Sequence, residues 1–162
     1  ASYARGELMR KGTKWNQTVA NRERMLKVCP DVDFYISSTL SIMNSYHIPD
    51  FHKEWIELGL LKPMDWNINI LQGPEYYRID VLPEVMKQEV LKIYNDHISY
   101  LEDKDEFKRA INGFKSAMNF MTGTDNSSLI PELLKNLDKL DNLRKENFFD
   151  VFPELKRLKD YG

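Results

Sequence analysis

The chain has 162 residues, of which 42% are hydrophobic and 30% charged, with a formal net charge of −2. That length suits one ordinary domain or a little more, able to bury a core of its own. The charge balance lacks the basic excess of a nucleic-acid binder, and no apolar run approaches the roughly 20 residues of a membrane span. No signal-peptide pattern opens the chain, so a cytoplasmic protein is expected. Cys29 is the single cysteine, which excludes an intrachain disulfide and any multi-cysteine metal site built by this chain alone. Ala1 stands where a natural start would have Met, and Ser2 to Lys11 is a polar lead-in, so the chain reads as processed or cut from something longer.

Tyr3 to Lys11 is a weakly patterned helix ended by Gly12. Trp15 to Val28 is better marked: Trp15, Val19, Arg22 (by its stem), Met25 and Leu26 share one helical face, with Thr13 as the expected N-cap. Pro30 stops this helix, because the residue before proline avoids the α conformation. A strand follows over Asp33–Thr39, with Phe34, Ile36 and Ser38 on one face and Tyr35, Ser37 and Thr39 on the other. Leu40 to His47 suits a helical turn, and Pro49 to Leu58, closed by Gly59, a helix. A second strand spans Trp66–Leu71, where Ile68 and Ile70 alternate with Asn67 and Asn69. Strand, helix and strand at this spacing make a βαβ unit with parallel strands.

Gln72-Gly73-Pro74 breaks the second strand, and Glu75–Asp80 reads as a short extended piece. From Pro83 onward the pattern is helical. Met86, Val90, Ile93, His97 and Leu101 mark one buried stripe. Phe107, Ile111, Phe114, Met118 and Met121 mark a second, over about Asp105 to Met121. Ile130, Leu133, Leu137, Leu140 and Arg144 mark a third, over about Ser128 to Lys145, and a last turn follows Phe152-Pro153. The expected fold is a helix-rich α/β arrangement, with one βαβ unit in region 1–82 and three or more helices in region 83–162.

Two lone parallel strands cannot bury a sheet, so the unit asks for something to complete it. Asn67 and Asn69 on one strand face need hydrogen-bond partners, from a ligand or from a neighbouring strand. Ligands of parallel α/β sheets collect at the carboxyl ends of the strands, where Ser38, Thr39, Asn69 and Gln72 lie. Tyr76, Tyr77 and Arg78 follow directly, either to stack on or clamp a substrate or to serve as aromatic core. Cys29 is expected to be a buried, inert thiol. His47 and His52 flank the crossover helix, with His52 expected to face solvent, and His97 belongs to an apolar stripe. None of the three has a His or Cys at i+3 or i+4, which argues against a zinc or iron site. No GxGxxG, P-loop, GxSxG or paired-carboxylate motif is present.

The runs ELMRKGTKW over Glu7–Trp15, YISSTLSIMN over Tyr35–Asn44, HIPDF over His47–Phe51 and LDNLRKENFFDVFPEL over Leu140–Leu155 resemble, in order, radical SAM proteins of the twitch-domain type. Such proteins are common in phage and environmental bacterial sequences. The resemblance covers nearly the whole chain. It implies a partial (β/α)6 barrel whose cluster-binding CxxxCxxC loop and first four strands are not in this chain, with 33–39 and 66–71 as strands five and six. It further implies S-adenosylmethionine and a [4Fe–4S] cluster as cofactors of the full-length protein. Arg10 then matches a residue that meets the cofactor carboxylate, and Ile36, Ser37 and Leu71 match the adenine contacts. Ser38, Thr39, Asn67, Asn69, Gln72, Tyr76, Tyr77 and Arg78 remain as substrate contacts. The missing half of the barrel, or a self-associating sheet edge, is the implied partner. The alternative is a free-standing α-rich binding or scaffolding domain, dimeric through its sheet edge.

Overall fold

A computed structural model describes residues 2–102 and 106–162. Its elements are α1 (Tyr3–Met9), α2 (Trp15–Val28), β1 (Ile36–Leu40), α3 (Ile48–Glu57), β2 (Trp66–Ile70), α4 (Glu84–Glu102), α5 (Lys108–Gly123), α6 (Ile130–Arg144) and α7 (Phe148–Val151). Short 3₁₀ turns cover Ile42–Asn44, Glu75–Tyr77, Ile79–Val81 and Ser127–Leu129, and a longer one runs from Pro153 to Tyr161. The fold is therefore a helix-rich α/β one: a β1-α3-β2 unit with parallel strands, followed by several C-terminal helices.

The register pairs Ile36 with Trp66, Ser37 with Asn67, Ser38 with Ile68, Thr39 with Asn69 and Leu40 with Ile70. Both strands thus turn one apolar-rich face inward (Ile36, Ser38, Leu40; Trp66, Ile68, Ile70) and one polar face outward (Ser37, Thr39; Asn67, Asn69). Leu40 and Trp66 are completely buried. The inner face packs against α5, whose Phe114 stacks on Trp66 at 5.4 Å. Core residues run from Trp15 to Leu158 in one cluster, so regions 1–82 and 83–162 share a single core.

Several boundaries differ from expectation. The first strand begins at Ile36, not Asp33, because the first rung is the Ile36 amide to the Asp65 carbonyl and nothing pairs with the chain before it. Leu71 lies just past the assigned end of β2, although its amide still bonds the Leu40 carbonyl at 2.9 Å. Glu75–Asp80 is not extended. It folds as two 3₁₀ turns, with the Tyr77 and Arg78 amides bonding back three residues to Pro74 and Glu75. Lys14 replaces Thr13 as the N-cap of α2, since the Thr13 amide is held by the Arg10 carbonyl in the turn after α1, where Gly12 takes φ +86°. The helix expected from Asp105 starts at Lys108; Asp105 itself lies outside the described residues.

Of the stripes expected on the C-terminal helices, Met86, Val90, His97 and Leu101 on α4, Phe114 and Met121 on α5, and Ile130, Leu133 and Leu137 on α6 are buried, whereas Ile93, Ile111, Met118 and Leu140 are half-buried and Arg144 is exposed. Tyr94, Ile98, Ala110 and Ala117 join them. Cys29 is exposed rather than buried, because α2 rests on the core through Trp15, Val19, Arg22 and Leu26 and its C-terminal end, past these contacts, stands out into solvent. Arg22 lies over the Phe34 ring at 3.7 Å and donates to the Leu60 carbonyl, so its stem and head both close the core there. Among the described residues no helix is long and apolar enough to cross a membrane.

Candidate functional site

The carboxyl ends of β1 and β2 open into a cavity of about 330 Å³. Three segments shape it. The Ser41–Asn44 turn after β1 is fixed by Asn44, whose Oδ1 accepts the Ser41 amide at 2.8 Å and whose Nδ2 donates to the Thr39 carbonyl at 3.0 Å. Leu71 and Pro74 continue β2 along the floor, and Tyr77 rises from the following turn. Leu8 and Met9 of α1, Leu137, Leu140 and Arg144 of α6, and Phe148 of α7 close the other side. Asp141 holds α7 in place by accepting the Phe148 amide with both carboxylate oxygens, at 3.0 and 2.9 Å.

A second hollow of about 400 Å³ lies along the outer edge of β1, between that strand and α1. Arg10, Ile36, Ser37, Ser38 and Thr39 all line it. In the observed register the amides and carbonyls of Ile36, Ser38 and Leu40 face β2, so those of Ser37 and Thr39 face away from it. The Thr39 carbonyl takes Asn44, and no strand covers this edge among the described residues. Arg10 is exposed and makes no ion pair among the described residues.

The structure thus gathers Arg10, Ile36, Ser37, Ser38 and Thr39 in one hollow and Thr39, Leu71 and Tyr77 in the adjoining one. The other candidates lie elsewhere. Asn67 donates to Asn69 Oδ1 at 3.1 Å, and Asn69 donates to Ser37 Oγ. The neighbouring strand therefore partners Asn69 through Ser37, while Asn67 is partnered by Asn69 on its own strand. Gln72 is exposed and bonds back to the Ile70 carbonyl. Tyr76 packs on Tyr77 with ring centroids 4.7 Å apart. Arg78 forms a bidentate ion pair with buried Asp80, whose Oδ2 also accepts Asn126 Nδ2 at 2.8 Å. That pair ties the turn before α4 to the loop after α5. Lys87, itself buried, reinforces the same junction by donating to the Thr124 carbonyl.

Two features escaped sequence reasoning. Arg144 lines the mouth of the first cavity, and the available signal was a cation at the end of an otherwise apolar helical stripe. His52 was expected to face solvent and is fully buried, because the face of α3 that carries it is pressed against β2 and the α4–α5 pair. It stacks on Trp66 at 4.0 Å, and its Nδ1 lies 3.0 Å from His97 Nε2. Burial, aided by His97, lowers the His52 pKa to about 3, so the ring is neutral at ordinary pH. No His, Cys, Asp or Glu cluster among the described residues has three members placed to hold a metal ion.

Farther out, His47 meets Glu154 at 2.7 Å. Burial, the largest single influence, raises that carboxyl, but the His47 hydrogen bond, the Glu154 backbone and the nearby His47 and Arg5 together outweigh it and leave Glu154 below its usual range. Tyr46 donates to Glu89 at 2.8 Å, and Arg157 forks onto the same carboxylate, which lowers the Glu89 pKa. These contacts fasten the C-terminal turn to α4 and to the β1–α3 connection. Comparison with protein-family models, with curated proteins and with solved structures gave no match.

Proposed function

We propose that the chain is the C-terminal part of a radical SAM enzyme of the twitch-domain type, contributing one wall of the S-adenosylmethionine site and contacts to the substrate. In this reading β1 and β2 are the last two strands of a partial (β/α)6 barrel, and their polar face is its interior. The observation that carries the reading is the unfinished parallel pair itself. Among the described residues its β1 edge has no strand on it, Ser37 and Asn69 on its polar face are exposed, and Arg10, which makes no ion pair, stands beside that edge. Parallel sheets are normally covered on both faces and continued by further parallel strands, so a bare pair favours a partner.

The residues suit the organic cofactor. The Arg10 guanidinium, with no carboxylate near it among the described residues, is available to an amino-acid carboxylate. Ile36 supplies apolar contact for a base, with Ser37 and Thr39 lining the same hollow, while Leu71 lines the adjoining cavity. When bound and reduced, the cofactor supplies hydrogen-atom abstraction; this chain's residues would orient it and shield it from water. The residues do not suit the [4Fe–4S] cluster, which needs cysteine thiolates, whereas the one thiol here is on the exposed end of α2. The cluster would be held by the missing half of the barrel.

The chain alone, supplied with iron, sulfide and a strong reductant, is expected not to cleave S-adenosylmethionine. Genuine turnover under those conditions overturns the proposal. The coding sequence upstream of Ala1 is expected to carry an in-frame CxxxCxxC; a stop codon there without that motif also overturns it.

A second reading has one observation in its favour: the helices from Pro83 onward and the βαβ unit enclose one continuous core. A free-standing α-rich binding or scaffolding domain would unfold cooperatively and stay monomeric, or dimerise through the β1 edge. Light scattering after size exclusion separates these cases, since a fragment with an open parallel edge aggregates.

A further inference from the structure

We propose that the cavity at the carboxyl ends of β1 and β2 binds a small amphipathic carboxylate, with its apolar body inside and its carboxylate on Arg144. The inference rests on the reading above only in taking this end of the sheet as the binding end. The walls are apolar, formed by Leu8, Met9, Leu71, Leu137, Leu140 and Phe148. At about 330 Å³ the space lies at the small end of ligand pockets, which suits a compact aromatic or branched aliphatic group. Pockets of this kind gain affinity from the apolar lining and orientation from a few polar groups at one end.

The polar residues of the lining are Thr39, Ser41, Tyr77, Asp141, Arg144 and Glu146. Charge complementarity selects the ligand. Glu146 is paired with Lys11, and both oxygens of Asp141 accept the Phe148 amide. Arg144 donates through Nη1 to the Leu8 carbonyl at 3.0 Å, which anchors the guanidinium at the mouth, and it meets no carboxylate among the described residues. Burial and Tyr76 raise the Tyr77 phenol while Arg144 opposes them, consistent with the cation standing beside that hydroxyl. A guanidinium anchored on one side and open on the other is a ready partner for a carboxylate, and the phenol is a second donor to it. A cationic ligand would find Glu146 already paired with Lys11 and Asp141 already committed to the Phe148 amide.

The test uses the 162-residue chain and three probes of one shape: 4-phenylbutyrate, 4-phenylbutanol and 4-phenylbutylamine, titrated with detection by two-dimensional NMR. The acid is expected to bind with a Kd on the order of 1 mM, about fivefold or more tighter than the alcohol, with the amine weakest. Shifts should centre on Leu71, Tyr77 and Leu137. Arg144→Gln should bring the acid to the level of the alcohol while the alcohol itself is unchanged. Leu140→Trp, which fills the cavity from α6, should abolish binding of both, with circular dichroism verifying that each variant is folded. The proposal is overturned by equal affinity for acid and alcohol, by an acid preference that survives Arg144→Gln, or by no saturable shift at about 10 mM. None of these titrations involves cluster or cofactor, so this inference and the radical SAM reading fail by different results.

Discussion

The buried histidine pair makes the stability of this protein depend on pH well above the range where carboxylates titrate. His52 is fully buried, stacked between Trp66 and the edge of Phe107, and its one polar partner is His97. Its second ring nitrogen, Nε2, has no hydrogen-bond partner among the described residues. The rings of Trp66, Phe107 and Phe114 surrounding it carry no charge; the nearest cation on its own helix is Lys53, set over Tyr100. In the folded chain the His52 pKa falls to about 3, against about 6.5 when unfolded. A histidine whose folded pKa is depressed binds more protons when unfolded, so stability is complete above about pH 6.5 and falls as the pH drops toward 3. The slope approaches 1.4 kcal/mol per pH unit, which gives a loss of about 2 kcal/mol between pH 7 and pH 5. Glu89, Asp125 and Glu154 are held below their usual values, so their contributions are present above about pH 4.5 and lost only below it. The assay is urea denaturation at pH 7, 6 and 5 for the parent chain and for His52→Gln, which keeps a polar group beside His97 but does not titrate. His52→Gln will be less stable at pH 7, having lost the ring stack, but its stability should change by less than about 0.5 kcal/mol between pH 7 and 5. An equal pH 7-to-5 loss in both proteins would refute the assignment to His52.

Three further outcomes follow from contacts described above. Asp80→Asn strips the buried partner from Arg78 and should cost about 3 kcal/mol in chemical denaturation, because it leaves an uncompensated guanidinium against the α5 junction. A proline scan of β1 tests the open edge. Ser37→Pro removes an amide that faces away from β2 and should cost about 1 kcal/mol or less, whereas Ser38→Pro removes a ladder hydrogen bond and should cost about 3 kcal/mol or more. Equal costs would mean that the outer edge is covered. Cys29 should react with a thiol reagent in the native protein at close to the rate of the unfolded chain, since it is exposed; strong protection would contradict its placement at the end of α2.

Periodicity and punctuation in the sequence settled the local structure. Alternation across Ile36–Leu40 and Trp66–Ile70, with a proline-started helix between, was enough for a parallel β1-α3-β2 unit, and the 3.6-residue stripes placed α4, α5 and α6 within a few residues. These features are legible because each depends on neighbours along the chain. The hydroxyl-rich end of β1 was likewise legible as the carboxyl end of the strand pair, and Thr39 lines both hollows there. What the chain order could not show is which distant side chains meet. His52 and His97 are 45 residues apart and neither carries a local mark of pairing, yet the packing of α3 and α4 around Trp66 brings their nitrogens to 3.0 Å. Arg78 carries no local mark of its pairing with Asp80, or of the tie from Asp80 to Asn126, 46 residues on. Arg144, at the end of an apolar stripe, became the charged mouth of a cavity only when α6 lay across α1 and the strand ends. Burial, charge pairing and cavity shape are sums over contacts from many segments, so they are decided by tertiary structure, while periodic faces are decided residue by residue; the cap of α2 and the turns over Glu75–Asp80 fall between, and the structure moved both.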